Sequence, residues 1–414
     1  MCYKVEDVFS PRSFPENTYI HRITAGNKTI DEKLEKALMM KGNLIFVSGA
    51  SKSGKTVLCH KVIPDEKFID LSGNQISSKE DFWNHIAEQL SLSDIVTTTT
   101  GMQNSEARVV KGSANFNAGV MGTGIGAGIG ADASENVVST NQITASRART
   151  ETQIIRYIID NDKVLVIDDF HYIPKEIQLY IARTLKTELF HGLKAVILSL
   201  PHRSDEAIIL NPDLIGRTTS IEIPLWTTNE LKEIAVKGFT LLNVPISDEC
   251  INLLAQESIS SPQLMQDNCF NLAYGSIGSS ITTATVKAAF SETASNYAHY
   301  DKLVSTILHG PSQGQGRRKL YQTADKDVDI YQLMLLALKA DPPVSKLSLE
   351  EIKNRISELL VNHERITSSI ISGTINKLIS LIKKDMPDLD ALEYKNKELY
   401  ILDPFLLFYL RWKN

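Results

Sequence analysis

The sequence predicts an α/β fold in which a parallel, doubly wound sheet carries a glycine-rich loop. Three observations predict it. The octet Gly49-Ala50-Ser51-Lys52-Ser53-Gly54-Lys55-Thr56 matches G-x-x-x-x-G-K-[ST]. It follows the apolar run Leu44-Ile45-Phe46-Val47 and precedes Val57-Leu58-Cys59-His60-Lys61-Val62, which can continue as a helix. Downstream, Lys163-Val164-Leu165-Val166-Ile167 ends in the acidic pair Asp168-Asp169. Between and after these, short apolar runs alternate with amphipathic stretches, the pattern of strands joined by helical crossovers.

Strand, loop and helix in that order give the octet a mechanism. Gly49 and Gly54 let the backbone close around phosphates, whose charge meets successive N–H groups of residues such as Ser51, Ser53 and Val57 at a helix N-terminus. Lys55 would reach the β- and γ-phosphates, and the Thr56 hydroxyl would ligate Mg²⁺. At the end of a neighbouring parallel strand, Asp168 would complete the Mg²⁺ shell, and Asp169 would orient or deprotonate an attacking water. The expected cofactors are therefore a nucleoside triphosphate and Mg²⁺.

The remaining elements follow in order. A helix is expected near Asp31–Met40, the first strand over 43–48, a second strand at Phe68–Leu71, and a helix over Lys79–Leu90 with Phe82, Ile86 and Leu90 on one face. Thr152–Ile159 reads as a helix leading into the acidic strand. Helix 175–190 follows, with Ile177, Tyr180, Ile181 and Leu185 aligned, and then strands Ala195–Ser199 and Ser220–Ile223.

Composition narrows the class. The 414 residues suffice for two or three cored domains, and a net charge of −5 gives no global basis for binding nucleic acid or an anionic membrane. Cys2, Cys59, Cys250 and Cys269 are scattered without paired spacing, as in a reducing compartment. Without an apolar leader or an 18-residue apolar run, the expected location is cytoplasmic. The nine histidines show no zinc spacing, and His171 and His202 read as loop residues.

Over about residues 17–295 the order of parts resembles the AAA+/STAND class of P-loop ATPases. The resemblance implies a sensor-like role for Ser199 at the end of the strand after the acidic one. It also implies an arginine finger at Arg217, in Asn211-Pro212-Asp213-Leu214-Ile215-Gly216-Arg217, acting on a neighbouring subunit's γ-phosphate; a surface salt bridge is the competing reading. Tyr19 and Ile20 would flank the adenine, although two apolar residues before Arg22 also suit a core. Helices 229–241, 247–258 and 261–274 resemble an α-helical lid. Pro262, where AAA+ proteins carry an arginine, favours the STAND side. Asp169 stands where those groups usually carry Glu, which implies slow turnover or a switch. Asp-Asp-Phe-His followed by Asn-Pro-Asp-Leu-x-Gly-Arg also resembles a group of bacterial ATP-binding proteins of poorly defined role.

Residues of about 92–150 interrupt this core. Within them 112–131 carry no charge, and Gly122, Gly124, Gly126, Gly128 and Gly130 alternate with small apolar residues at period two. The preferred reading is a β-hairpin packing against its counterpart in other subunits. A Gly/Ser-type linker ranks next, and a membrane contact as a multi-subunit barrel last. After a linker at 311–327, residues 328–414 read as a winged helix. Its helices are 329–339, 348–360 and 368–384, and its wing surrounds Lys395-Asn396-Lys397-Glu398. Residues 330–414 hold 12 Lys and Arg against 11 Asp and Glu, and the recognition-type helix offers only Lys377, Lys383 and Lys384. A structural role is therefore favoured over DNA contact.

The domain expectation is a nucleotide-binding domain over 1–226, a helical lid over 227–310, the linker, and the winged helix. The functional expectation is an ATP-hydrolysing switch that controls homo-oligomer assembly and an unknown protein partner or effector. The resemblance extends this to bacterial anti-phage defence. The alternative is a DNA-acting AAA+ ATPase of the transposition or origin-regulator kind, and a blander one is a nucleotide-binding scaffold that never hydrolyses.

Overall fold

The computed structural model describes residues 3–24, 26–92, 151–200, 216–276, 279–311, 318–361, 364–387, 389 and 391–413. The Gly122–Gly130 stretch and the rest of the insertion lie outside them, as do His202, Asn211–Ile215 and residues 312–317 of the linker. Two compact units divide the chain: one holds 1–24, 49–54 and 223–414, the other 25–48 and 55–222.

The second unit is built on a five-stranded parallel sheet: β1 (Leu44–Gly49), β2 (Phe68–Ser72), β3 (Val164–Asp168), β4 (Lys194–Ser199) and β5 (Thr218–Ile223), in the order β2-β3-β4-β1-β5. Burial explains the sequence pattern. All six residues of β1 are buried, and β3 is buried up to Asp168, because interior strands are covered on both faces and read as continuous apolar runs. The edge strands β2 and β5 alternate buried with exposed positions in their last residues.

Helix α1 (Ile30–Met39) precedes β1, while α2 (Lys55–Val62), α3 (Lys79–Gln89), a further helix through 151–160 and α4 (Lys175–Phe190) supply crossovers. One sheet face presents Leu44, Phe46, Leu165, Ile167, Ala195 and Ile197 to an apolar core that includes Phe82, Ile86, Ile154, Ile158, Ile181 and Leu185. The alternate residues Ile45, Val47, Val166, Val196 and Leu198 are equally buried and, at period two, serve the other face. Capping boxes at Thr29–Glu32 and Ser78–Asp81 start α1 and α3.

In the first unit a helical bundle comprises α5 (Thr228–Leu241), α6 (Asp248–Glu257), α7 (Pro262–Gly275), α8 (Thr283–Ser295) and α9 (Asp301–His309). The sequence pattern anticipated the first three of these, not the last two. Next come α10 (Ile330–Leu338), β6 (Lys346–Ser348), α11 (Leu349–Leu359), α12 (Ser368–Asp385), β7 (Leu392–Lys395), β8 (Glu398–Ile401) and α13 (Pro404–Trp412). β6 lies between α10 and α11 and pairs with the β7-β8 hairpin that follows α12, in the antiparallel order β6-β8-β7, which is the topology of a winged helix. Asn396 and Lys397, both at positive φ, make the two-residue turn of its wing.

One apolar core runs without a break from Val8 and Phe9 through α5–α9 to Phe405 and Tyr409. Polar groups reinforce it. Glu257, only 5% exposed, accepts two hydrogen bonds from the Arg411 guanidinium at 2.9 and 2.6 Å and a third from the Trp412 indole at 2.6 Å. Gln266 bonds the Thr18 hydroxyl at 2.7 Å and accepts from the Ser10 amide at 3.2 Å, which ties the N-terminal segment to α7. Cys59, Cys250 and Cys269 are buried and unbridged, and burial pushes the Cys59 and Cys269 thiols far up. Among the described residues no helix is long and apolar enough to cross a membrane.

Candidate nucleotide site

The carboxyl edge of the sheet gathers the chemistry. Register pairs Ser48 with Ser199 and Ser72 with Asp168, so β1, β2, β3 and β4 all end at one level, where open α/β sheets bind ligands. β4 lies between β3 and β1, which sets Ser199 between the acidic strand and the strand that enters the loop. The Ser199 hydroxyl is buried and has no hydrogen-bond partner among the described residues.

In the second unit, α2 begins at Lys55, directly after the loop, so its N-terminus and the first amides of the helix lie at the loop. The Thr56 hydroxyl donates to Asp168 Oδ2 at 2.6 Å. Asp168 Oδ1 accepts from the Asp169 amide at 2.7 Å. Asp169 itself adopts the left-handed region, φ 53 and ψ 36, which Asp tolerates better than most residues. That conformation turns the chain sharply after Asp168 into the one-turn helix Phe170–Tyr172. Val57 follows in the first turn of α2.

Two residues that the sequence reading passed over hold this corner. The buried Gln178 amide donates to the carbonyls of Phe170 at 3.2 Å and Ile173 at 2.8 Å, fixing the turn beyond the acids. Gly73, just after β2, lies so close that a Cβ there would sit 2.2 Å from the Asp169 carbonyl oxygen. Burial and the neighbouring Asp168 charge push the Asp70 carboxyl upward, against the opposing pull of His60. Nothing in the local pattern around Gly73 or Gln178 distinguishes it; each is visible only once β2 and α4 are placed.

The first unit holds the loop residues 49–54. A Cβ on Gly49 would meet the Ser53 hydroxyl at 2.8 Å and Ile223 Cβ at 3.0 Å, and Gly54 has φ +94. Both positions therefore require glycine for steric or conformational reasons. Ser51 is half-buried, while the buried Ser53 hydroxyl has no partner among the described residues. The Trp226 indole donates to the Ser53 carbonyl at 2.9 Å.

Other expected residues are placed as follows. Ile20 is 5% exposed and packs in the core of the first unit; Tyr19 stacks on Phe14 with ring centroids 5.9 Å apart. Pro262 opens α7 behind its N-cap Ser261, after Ile259 and Ser260, both left-handed. Left-handed Ile is rare because its branched Cβ crowds the backbone. Arg217 is exposed just before β5, and its carbonyl accepts from the Leu44 amide at 2.9 Å. Leu44 begins β1 and Gly49 ends it, so Arg217 stands about 17 Å from the carboxyl edge at the strand rise per residue. Any contact of Arg217 with a γ-phosphate must therefore be made on another subunit.

The donor chemistry suits a hard divalent cation. Thr56 and Asp168 bring a hydroxyl and a carboxylate oxygen together, the ligand types that Mg²⁺ prefers. The strand order, the loop after β1 and the acidic end of β3 define the fold of a P-loop nucleotide-binding protein.

No family model matches the sequence, and no curated protein matches it. Among solved structures, it is similar to a Walker-type ATPase of Pyrococcus abyssi (12% identity, 92% of this chain and 94% of that one, TM-score 0.49). It is also similar to Cdc6p of Pyrobaculum aerophilum (13%, 98% and 97%, TM-score 0.42) and to the ORC2 protein of Aeropyrum pernix (12%, 97% and 97%, TM-score 0.46). The class stated above rests on this chain's own topology and loop.

Proposed function

We propose that the protein binds ATP with Mg²⁺ at Gly49–Thr56 and hydrolyses it slowly as an AAA+/STAND-type switch, the nucleotide state controlling self-assembly and engagement of a protein partner. The observation that supports this reading is the 2.6 Å hydrogen bond from Thr56 to Asp168, two residues 112 positions apart that meet as a metal-phosphate site requires. Lys55 would hold the β/γ-phosphates, while Gly49, Ser51, Ser53, Gly54 and Val57 offer backbone amides. Asp169 takes the water-orienting role, and Ser199 supplies a hydroxyl beside the terminal phosphate. Mg²⁺, when bound, would neutralise the phosphate charge between Thr56 and Asp168. Arg217 acts on a neighbouring subunit, and Tyr19, Ile20 and Pro262 border the nucleoside. A role in anti-phage defence remains an implication of the resemblance stated above.

The test is mass by light scattering without nucleotide, with ADP, and with a non-hydrolysable ATP analogue plus Mg²⁺, on the parent and on Lys55→Ala. An oligomer formed only with the analogue is the expected result. Loss of a charge-assisted hydrogen bond costs about 1.5–3 kcal/mol, so Lys55→Ala lowers ATP affinity roughly ten- to a hundredfold. One unchanged mass in every state overturns the switch. The alternative reading, DNA binding, would rest on the exposed Lys377, Lys383 and Lys384 of α12, fewer cations than a clear basic stripe provides. Salt-dependent duplex binding that Lys383→Ala weakens would support it.

A further inference from the structure

Trp226 and Arg22 form a buried relay beside the loop, which the proposed chemistry leaves unused. Trp226 is 9% exposed and Arg22 6%. The indole N–H donates to the Ser53 carbonyl at 2.9 Å. The Arg22 guanidinium lies 4.5 Å from the Trp226 ring centroid, over the ring. It is fixed there by four hydrogen bonds: two to Glu230 at 2.8 and 3.1 Å, and one each to the carbonyls of Pro224 at 2.9 Å and Leu225 at 3.1 Å. Glu230 is in turn the third residue of the capping box that opens α5, its carboxylate accepting from the Thr227 amide at 2.8 Å. Its carboxyl is held below the ordinary range by Arg22 and Thr227, in spite of its burial.

The consequence comes from peptide geometry. A trans peptide is planar, so its C=O and the next residue's N–H point in opposite directions. Fixing the Ser53 carbonyl on Trp226 therefore aims the Gly54 N–H away from the indole. In a loop that closes on phosphate, Gly54 N–H is one of the amides that must face inward. Gly54 has φ +94, and as a glycine it can take either orientation of this peptide at little steric cost, so the indole bond helps to select one of them.

We propose that Trp226 is a positioning residue for phosphate, holding the Ser53–Gly54 peptide in its phosphate-accepting orientation, and that Arg22 and Glu230 link that orientation to the first turn of α5. The inference rests on the reading of Gly49–Thr56 as a phosphate site. A ligand that turns the Gly54 amide would be felt at α5, and a displacement of α5 would spoil the amide.

The experiment compares binding of ATP, ADP and adenosine to the parent and to Trp226→Phe, which keeps an aromatic ring but has no N–H. One neutral hydrogen bond is worth about 0.5–1.5 kcal/mol, so ATP and ADP affinities are expected to fall by roughly two- to tenfold, with adenosine unchanged. An equal loss for all three ligands, or none, overturns the proposal while the phosphate site stands. A parent that binds no ATP overturns both. Should Trp226→Phe fail to fold, the ¹⁵N indole signals of the parent decide. One of the three tryptophan signals must shift with tripolyphosphate and not with adenosine; three unmoved signals refute the relay.

Discussion

Glu257→Ala is expected to destabilise the unit formed by α5–α13 by about 3–5 kcal/mol, the cost of stranding one member of a buried ion pair. The cost comes from what the alanine leaves behind. Arg411, with a side chain 10% exposed, loses both carboxylate bonds, and the Trp412 indole loses its acceptor. Asp341 offers Arg411 an alternative at 2.7 Å, but that carboxylate is 84% exposed and screened by water. Denaturant unfolding followed by circular dichroism reads the loss. The double variant Glu257→Leu with Arg411→Leu should cost clearly less than Glu257→Ala, because no charge is then left buried alone. A double variant as damaged as the single one would mean that packing near Phe290 and Trp412, whose rings lie 4.7 Å apart, dominates instead.

Gly73→Ala is the second large effect. The added methyl would sit 2.2 Å from the Asp169 carbonyl oxygen, 2.8 Å from its carbon and 3.1 Å from the Asp168 carbonyl oxygen. All three are backbone atoms, so the strain cannot be relieved by turning a side chain. The turn beyond Asp168 has to move, at a cost typical of overpacking, about 1–3 kcal/mol. On the proposed function, Mg²⁺-dependent nucleotide retention falls as well, since the Thr56–Asp168 pair is disturbed. Gly373→Ala is the matched control. It lies inside α12 with open space where its Cβ would be, so alanine should stabilise the helix by about 0.5–1 kcal/mol. If Gly73→Ala melts and binds like the parent, the close approach between β2 and β3 is looser than these distances imply.

The parts of the site legible in the sequence are those encoded by local pattern. β1, β3 and β4 are interior strands, buried on both faces, so their apolar runs stand out against the polar ends that carry Ser199 and Asp168. The octet is a contiguous loop, and its Gly54 answers a local backbone demand, φ +94. By contrast, Trp226 meets Ser53 across 173 residues and Arg22 meets Glu230 across 208, and no spacing rule reaches so far. The far-end placement of Arg217 depends on the register of β5 against β1, which only the assembled sheet reveals. α8 was missed for a different reason. Thr283-Ala284-Thr285-Val286-Lys287-Ala288-Ala289-Phe290 contains few large apolar residues, and its small ones pack as a helix only against a bundle already formed. The three-residue β6 is too short to show a period at all.

The buried thiols have one more consequence. Alkylating reagents attack the thiolate, and the surroundings of Cys59 and Cys269 suppress that form while the chain is folded. Cys59 belongs to the sheet-bearing unit, and Cys250 and Cys269 to the helical one. The native chain thus carries its own footprinting labels, one set for each body. Iodoacetamide capture at Cys59 against capture at Cys269, resolved by peptide mass, would time the opening of each unit without adding a dye or changing a residue.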